Sequence, residues 1–362
     1  MKLNIITYGC TSNKDNSEII SGLLLKDKHE LTNLEKADII IINSCAVKQK
    51  TDNKIQGLIK NILKKYPEKR IIITGCMPNA EYKILRKLAP NASLVNSFHI
   101  TDIPKTLNER IELLSFRKES KLNLPKLNNS KIYNIQISEG CLSKCNYCST
   151  KLAKPNLYSF PKEEIINEIK KAISLGYQRI NLTSTDTSCY GFDINTNLPK
   201  LLNGINKIKG NFLIRVGMAN PQFIKKYKKE LVKEFSSDKI MKFLHLPLQS
   251  GSDKVLKEMK RGHSVKDFID IVSLFRKNIP KISIATDIIV GYPTETEQDF
   301  KKTLDVIKQI KPEVLNISKF SSRPDTPASK LKQLDSKIVL KRSQELTKLY
   351  KEYRKIFKKI DF

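Results

Sequence analysis

The sequence predicts an α/β protein in which a doubly wound, flavodoxin-like parallel sheet is followed by a partial (β/α)6 barrel. Two observations support this fold class. Short apolar, β-branched runs alternate with polar-apolar stretches of helical period, as in βαβ units. The alternation stops in one polar segment and then starts again, which indicates two domains. A chain of 362 residues, 40% of them hydrophobic, is long enough to form both.

Three strands of the first domain each lead to a cysteine. The apolar runs occupy residues 3–9, 38–44 and 70–75, and a stretch of helical period follows each of them. The cysteines at their carboxyl ends are Cys10, Cys45 and Cys76. Because ligands collect outside the carboxyl ends of parallel strands, we expect these thiols to meet at one edge of the sheet.

The second series of strands begins after a predicted linker. Residues 117–131 are basic, polar and without periodicity, which is typical of a linker between domains at 1–116 and 132–332. Six strands are expected near residues 132–139, 179–184, 212–217, 242–247, 283–290 and 313–319. In a barrel, the loops at the carboxyl ends of such strands form the working face. Residues 333–362 contain an amphipathic, Lys-rich helix, expected at about 335–360.

The composition favours a polyanionic partner. Lys and Arg number 66 against 37 acidic residues, and the net charge of +29 would attract nucleic acid. A well-solvated surface is the alternative, because the excess of Lys over Arg is typical of an A+T-rich genome. No apolar run approaches the roughly 18 to 20 residues that span a bilayer, so we predict no membrane contact and a cytoplasmic location. In that reducing compartment, the seven cysteines indicate metal binding or catalysis rather than disulfides.

Three of the cysteines crowd into the loop after the first strand of the second domain. Cys141, Cys145 and Cys148 form a C-x3-C-x2-C motif. Three thiolates at this spacing can hold three irons of a cubane cluster and leave the fourth iron without a protein ligand. Zinc is the alternative, but a structural zinc site needs four ligands and no histidine lies near this loop.

The motif, with Tyr147 before its last cysteine, resembles that of the radical S-adenosylmethionine (SAM) enzymes, which are built on a partial barrel. The resemblance implies that the amino and carboxylate groups of SAM chelate the fourth iron. It also implies that one electron from this [4Fe-4S] cluster cleaves SAM to a 5′-deoxyadenosyl radical.

The resemblance narrows to the methylthiotransferases, specifically their archaeal and eukaryotic branch. The N-terminal motifs are Tyr8-Gly9-Cys10, Cys45-Ala-Val-Lys48 and Thr74-Gly75-Cys76-Met-Pro, and further matches lie at 182–187, 215–221, 244–253, 285–293 and 323–327. The implied reaction is methylthiolation at C2 of N6-threonylcarbamoyladenosine, at position 37 beside the tRNA anticodon. The three N-terminal cysteines are then implied to hold a second [4Fe-4S] cluster, whose open iron carries the sulfur to be transferred, and two SAM molecules are consumed.

Residues at the strand ends are candidates to bind SAM. With Tyr147, the set is Ser184, Thr185, Asp186, Arg215, Gln249, Ser250 and Gly291. The guanidinium of Arg215 suits the SAM carboxylate or a substrate anion, although a salt bridge at the barrel rim is the alternative. Hydrogen-bond acceptors after the second strand, as at Asp186, suit the SAM ammonium, and an Asx-turn would also explain them.

The two remaining kinds of contact involve the ribose and the base. Gln249 and Ser250 suit the ribose hydroxyls, with helix capping by Ser250 as the alternative. Gly291 permits close approach of a flat base, and an ordinary turn glycine is the alternative.

The sequence departs from the family pattern in four places. Arg179 stands where an acidic residue is expected, and Asp325 stands where glycine is usual. Ala153-Lys154-Pro155 stands where an Arg-Gly pair is usual, and the small tRNA-binding β-barrel domain expected at the end is not found after the last helix. Besides tRNA and an electron donor, a separate chain that replaces this domain is therefore a predicted partner. The alternative substrate is a ribosomal-protein aspartate, and the alternative class is a noncatalytic tRNA-binding iron-sulfur protein.

Overall fold

The computed structural model describes residues 1–357, and the chain forms two compact units. The first unit comprises residues 1–141 and 148–185. The second comprises residues 142–147 and the chain from Asp186 onward. The predicted domain boundaries stay a prediction.

The first unit contains a six-stranded, all-parallel sheet in the order β2-β1-β3-β4-β5-β6. Its strands are β1 (Lys2–Thr7), β2 (Glu30–Leu31), β3 (Ile39–Ser44), β4 (Arg70–Gly75), β5 (Ser93–Asn96) and β6 (Glu112–Leu113). Its helices are α1 (Thr11–Lys26), α2 (Gln49–Lys65), α3 (Met77–Ala80), α4 (Tyr82–Leu88) and a 3-10 helix, Ser97–Leu107. The three predicted strands are confirmed, and this strand order is typical of flavodoxin-like sheets.

The isoleucine run of β3 explains why this sheet is buried on both faces. Ile40 and Ile42 belong to one apolar core, whereas Ile39 and Ile41 belong to the other. Successive side chains of a strand point to opposite faces, so an unbroken apolar run suits a strand covered on both sides.

The first unit also contains the two strands that open the second predicted series. Its further elements are β7 (Ile132–Gln136), β8 (Ser138–Glu139), α5 (Ser149–Ala153), β9 (Tyr158–Ser159), α6 (Lys162–Ser174) and β10 (Arg179–Thr183). Strands β7 and β10 pair in parallel, and β8 and β9 pair antiparallel. Residues 117–131 form neither helix nor strand, but two of their lysines, Lys121 and Lys126, are buried in ion pairs.

The second unit contains the remaining four predicted strands. They are β11 (Leu213–Val216), β12 (Phe243–His245), β13 (Ser283–Val290) and β14 (Val314–Lys319). Strands β12, β13 and β14 form a parallel sheet, and Ile214 of β11 bridges to Ile240. The helices are α7 (Leu198–Asn206), α8 (Pro221–Ile224), α9 (Lys228–Phe235), α10 (Asp253–Glu258), α11 (Val265–Asn278), α12 (Glu297–Ile310) and α13 (Ser336–Phe357), with 3-10 helices Thr187–Cys189 and Pro327–Lys330.

Local sequence signals explain where several of these helices begin and end. Helix α11 starts with a capping box of Ser264 and Asp267, and α12 starts with one of Thr296 and Asp299. Helix α13 begins close to its predicted start, and the predicted stretch beyond residue 357 lies outside the described residues. Within residues 1–357, no helix is both long and apolar enough to cross a bilayer.

Candidate functional site

Cys10, Cys45 and Cys76 each follow the carboxyl end of a strand of the six-stranded sheet. Cys10 precedes α1 and is exposed, whereas Cys45, after β3, and Cys76, after β4, are buried. Gly9, at φ +106°, lies so close that a Cβ placed on it would be 2.9 Å from Cys45 Sγ. We call these three residues the cysteine edge.

Asparagine side chains tie the loops of the cysteine edge together. Asn13 Nδ2 donates to Tyr8 O and to Ser44 O, at 2.8 Å each. Asn43 Nδ2 donates to Asn13 O at 2.7 Å and to Ser17 Oγ at 2.9 Å. Asn13 thus links the loops before Cys10 and Cys45.

Burial strongly disfavours ionisation of the inner thiols. Burial, followed by repulsion from Cys76 and Cys10, raises the pKa of Cys45 to about 12. Burial likewise raises the pKa of Cys76, and Cys10 adds to the shift, although the nearby Lys154 ammonium opposes it. The three thiols therefore interact with one another, and a bound iron would have to displace their protons.

Helix α5 connects the residue after Cys148 to the cysteine edge. Ser149 Oγ donates to Ala46 O, next to Cys45, and Asn79 Nδ2 donates to Ala153 O at 3.3 Å. Ala153 also belongs to the same apolar core as Cys76. Packing against the cysteine edge therefore fixes the helix that follows Cys148.

Lys154, in the stretch that departs from the expected Arg-Gly pair, is buried in an ion-pair cluster. Its Nζ lies 2.8 Å from Glu139 Oε1, and Lys121 Nζ lies 2.9 Å from the same oxygen. Burial alone would lower the pKa of Lys154, but Glu139 and then Cys76 raise it above its usual range. The Ala153-Lys154-Pro155 stretch therefore holds a buried cation near Cys76.

Cys145 lies in the second unit, beside an arginine that the sequence analysis did not single out. Arg261 Nη1 donates to Cys145 Sγ at 3.5 Å, while Nη2 donates to Asn220 Oδ1 at 3.2 Å and to Pro247 O at 3.1 Å. The arginine is 6% exposed. Burial would lower its pKa, but Tyr147 and Cys145 more than offset this, so the pKa lies above its usual range.

The segment just before Arg261 accepts hydrogen bonds from Asn146, which lies between Cys145 and Cys148 of the C-x3-C-x2-C motif. Asn146 N donates to Met259 O at 3.1 Å, and Asn146 Nδ2 donates to Glu258 O at 2.6 Å. Gly262, at φ +67°, completes the turn, and a Cβ there would lie 2.5 Å from Gln222 Cδ. We call Met259–Gly262 together with Asn220 the arginine turn.

Two of the predicted SAM contacts each have a buried side-chain oxygen that has no hydrogen-bond partner among the described residues. Ser184 Oγ, after β10 in the first unit, is one. Gln249 Oε1, in the second unit, is the other, and Gln249 adopts φ +78°. A buried oxygen without a partner destabilises the protein, so a ligand that hydrogen-bonds to it would remove that cost.

Three other predicted contacts are already engaged within the second unit. Asp186 Oδ1 accepts from Ser188 N at 3.0 Å and from Asn220 N at 3.1 Å, and burial raises the pKa of this carboxyl. Ser250 Oγ accepts from Ser252 N at 3.2 Å. Gly291, at φ +79°, faces Val339, because a Cβ there would lie 2.6 Å from Val339 Cγ2. The Asx-turn and the turn glycine considered from the sequence therefore describe Asp186 and Gly291 as they stand. Ser250 does not cap a helix, because the hydroxyl accepts from Ser252, which is itself the N-cap residue of α10.

The remaining three predicted SAM contacts are Arg215, Tyr147 and Thr185. The Arg215 guanidinium carbon lies 4.8 Å from the ring centroid of Phe243. Tyr147 packs against the apolar cluster that includes Met259 and Tyr292. Thr185, the last residue of the first unit, is partly buried.

A row of polar side chains crosses β12, β13 and β14. His245 Nε2 lies 2.9 Å from Asp287 Oδ2, and Asn316 Nδ2 donates to Asp287 Oδ1 at 2.7 Å. Because Leu244 and Leu246 flank His245 in an apolar strand, a core histidine is expected there, but 21% of its side chain is exposed. The strand register supplies what the sequence lacks: it pairs Asp287 with Asn316 and places His245 opposite Ala285, two residues before Asp287 on the same strand.

Two family models match the chain. The radical SAM superfamily matches residues 135–307, and a family described as uncharacterized protein family UPF0004 matches residues 2–97. Among solved structures, the radical SAM methyltransferase TsrM from Kitasatospora setae is similar with a TM-score of 0.67 at 13% identity, over 91% of this chain and 73% of that one. OxsB, a cobalamin-dependent radical SAM enzyme, is similar with a TM-score of 0.57 at 13% identity, over 97% of this chain and 56% of that one. At these identities the likeness shows the fold alone.

Curated relatives are much closer in sequence. A protein of Methanothermobacter thermautotrophicus named "Probable threonylcarbamoyladenosine tRNA methylthiotransferase" is 40% identical over 96% of this chain and 84% of its own length. The human protein "Threonylcarbamoyladenosine tRNA methylthiotransferase" is 36% identical over 97% of this chain and 63% of its own length. The chain therefore belongs to the threonylcarbamoyladenosine tRNA methylthiotransferase family of radical SAM proteins.

Proposed function

We propose that this protein adds a methylthio group to C2 of N6-threonylcarbamoyladenosine at position 37 of tRNA. The observation that carries the proposal is the presence of two cysteine triads in one chain of this family. One triad lies in the eight-residue stretch Cys141–Cys148, and the other is assembled from three distant strand ends. Family membership favours tRNA over a ribosomal-protein aspartate and an active enzyme over a noncatalytic binding protein.

The radical SAM family implies SAM and one [4Fe-4S] cluster, and we propose Cys141, Cys145 and Cys148 as its ligands. We propose Cys10, Cys45 and Cys76 as ligands of a second [4Fe-4S] cluster. When bound, the clusters supply the electron that cleaves SAM and the sulfur that replaces hydrogen on C2. Three soft donors in each triad suit iron-sulfur chemistry and leave one iron open.

The chain's own residues would orient SAM. The buried oxygens of Ser184 and Gln249 favour ligand hydroxyl or ammonium donors, and the Arg215 guanidinium favours a carboxylate. Tyr147, Thr185, Asp186, Ser250 and Gly291 stay predicted contacts. For Asp186 in particular, the internal hydrogen bonds would have to be shared with the SAM ammonium.

tRNA is the proposed macromolecular substrate, and the net charge of +29 supports it. Contacts between lysines and phosphates carry little sequence information, so discrimination would come from the modified base. We further propose a separate electron donor, because the reduction of a cluster needs an external electron. The cytoplasmic location stays a prediction.

The function is tested with anaerobically reconstituted protein, SAM, a reductant and two preparations of tRNA. One tRNA carries the threonylcarbamoyl group and the other lacks it. Nucleoside mass spectrometry should find the methylthio product only from the modified tRNA. Both tRNAs should bind alike, and binding should weaken steeply with salt, because each neutralised phosphate releases roughly 0.7 to 0.9 of a counterion.

The contradicting results are equally distinct. Turnover on a ribosomal protein, with none on either tRNA, would reject the substrate. Binding that does not change across the salt series would reject the electrostatic account of tRNA affinity. The absence of any 5′-deoxyadenosine would reject the radical chemistry itself.

A further inference from the structure

We infer that Arg261 is a positioning residue that raises the reduction potential of the cluster held by Cys145. The inference rests on the proposed function, in that it takes Cys145 to be a cluster ligand. It assigns a role to a residue outside both cysteine triads and outside the predicted SAM contacts.

The first observation is the direction of the guanidinium. Arg261 Nη1 donates to Cys145 Sγ at 3.5 Å, within the range for a hydrogen bond to sulfur. Its Nη2 is held by Asn220 Oδ1 at 3.2 Å and Pro247 O at 3.1 Å. The planar fork of an arginine is rigid, so fixing one nitrogen fixes the direction of the other.

The second observation is that the acceptor on Asn220 is fixed too. Asn220 Oδ1 also accepts from Gln222 N at 3.1 Å, and Asn220 Nδ2 donates to Ser143 Oγ at 2.9 Å. Turning the amide over would place Asn220 Nδ2 against two N–H donors, Gln222 N and Arg261 Nη2. Asn220 is 2% exposed, so water does not offer an easy substitute.

The third observation is burial. At 6% exposure, Arg261 acts through a medium that screens charge much less than water does. Cysteine sulfurs of an iron-sulfur cluster carry part of its negative charge, and hydrogen bonds to them are among the factors that set its potential. A fixed cation next to one of these sulfurs stabilises the reduced, more negative cluster more than the oxidised one. The potential therefore rises.

Within residues 1–357, no guanidinium donates a hydrogen bond to a sulfur of the cysteine edge, which makes the effect specific to one cluster. Lys154 is the cation near Cys76, but its Nζ is paired with Glu139 at 2.8 Å. Lys121 Nζ shares the same Glu139 oxygen at 2.9 Å, so Lys154 is held by an ion-pair cluster rather than by a cysteine sulfur. Removing Arg261 should therefore change the potential of the Cys145 cluster alone.

The test is an anaerobic potentiometric titration followed by electron paramagnetic resonance. It uses the full-length chain with Cys10, Cys45 and Cys76 all replaced by Ala, so that one cluster remains. In this background, Arg261→Gln should lower the ratio of reduced to oxidised cluster about tenfold at a fixed potential, equivalent to ~59 mV for one electron. Arg261→Lys keeps the charge but loses the fork, and it should lower the ratio by about threefold.

Arg276→Gln is the matched control. Arg276 is also in the second unit and also pairs through its guanidinium, with Glu313 at 3.0 Å, so the variant removes the same charge from a different place. The reduction potential of the cluster in this variant should equal that in the parent, the chain with Cys10, Cys45 and Cys76 replaced by Ala. A purely structural role for Arg261 would change iron content or thermal stability but leave the potential of the remaining cluster unchanged.

The outcomes separate the inference from the proposed function. If the parent forms its cluster and the two Arg261 variants titrate at the parent's potential, the inference is wrong and the proposed function stands. If Arg261→Gln does not retain iron, Arg261→Lys decides, and an unchanged potential there overturns the inference. If the parent itself yields no reducible cluster, Cys145 is not a ligand and both fail.

Discussion

The cysteine edge and the arginine turn place different groups next to cysteine sulfurs. At the cysteine edge, burial and repulsion between neighbouring thiols raise the pKa of Cys45 to about 12. At the arginine turn, a guanidinium donates a hydrogen bond to Cys145 Sγ at 3.5 Å. The first region favours neutral thiols until metal arrives, and the second places a cation beside the sulfur. Two triads with the same residue type thus have different surroundings, which is consistent with the proposal that they hold clusters with different tasks.

The largest expected effect comes from removing one cysteine in each region. The reconstituted protein should bind about eight irons and eight sulfides, and Cys45→Ala and Cys145→Ala should each reduce this to about four. Iron and sulfide analysis with visible spectroscopy measures the loss.

Cys189→Ala is the control for those two variants. Cys189 is buried and donates to Asp186 O at 3.3 Å, and we place it in neither triad. It should leave about eight irons in place. If Cys45→Ala retained all its iron, or if zinc rather than iron filled the protein, the assignment of two clusters would be wrong.

The next effect tests the close packing that is specific to the cysteine edge. Gly9→Ala places a side chain at φ +106°, with Cβ 2.6 Å from Cys45 Cβ. The strained backbone should cost about 1–3 kcal/mol of unfolding free energy. The displaced Cys45 loop should also reduce the iron content toward one cluster. Urea unfolding and iron analysis measure the two consequences.

Gly57→Ala provides the comparison for that variant. Gly57 lies inside α2, and nothing stands within 4 Å of the Cβ that alanine would add. Alanine there should stabilise the protein by about 0.5–1 kcal/mol and leave the iron content unchanged. Equal iron retention by both variants would show that Gly9 does not protect the cysteine edge.

The smallest expected effect concerns Glu18 in the first unit, a carboxyl whose pKa burial also raises. Burial and then Asp15 raise the pKa of Glu18 to about 7, and Asn134 Nδ2 donates to its Oε1 at 3.1 Å. Between pH 4.5 and 7 the folded state therefore binds more protons than the unfolded state, so stability falls as the pH rises through this window.

Glu18→Gln should remove this slope. Because the carboxyl is partly exposed, we expect the variant to gain about 1–2 kcal/mol relative to the parent between pH 5 and pH 7.5. Urea unfolding of both proteins at the two pH values measures the difference. Parallel pH profiles would mean that burial at this position does not shift the carboxyl.

The sequence predicts the cysteine edge well, because its information is local. A β-branched run followed by a cysteine defines both a strand and the residue at its carboxyl end, and the parallel arrangement brings Cys10, Cys45 and Cys76 together. The strand positions of the second series are predictable for the same reason. Periodicity and turn residues determine them without knowledge of distant contacts.

The arginine turn is not predictable in this way. Arg261 lies in the basic stretch Lys257–His263, which resembles a solvated charged surface. Its burial depends on Asn220 and Pro247, which are far away in sequence. Lys121 and Lys126 were missed for the same reason. They lie in a polar segment, and only the distant acids Glu139 and Asp15 explain why they are buried.

The most direct test of the account measures two products in one experiment. Wild-type protein, Cys45→Ala and Cys145→Ala are each incubated with SAM, reductant and threonylcarbamoylated tRNA. 5′-Deoxyadenosine and the methylthio nucleoside are then quantified together. We expect both products from the wild type, 5′-deoxyadenosine alone from Cys45→Ala, and neither from Cys145→Ala. Formation of the methylthio nucleoside by Cys45→Ala would contradict the central claim that the two triads perform different tasks.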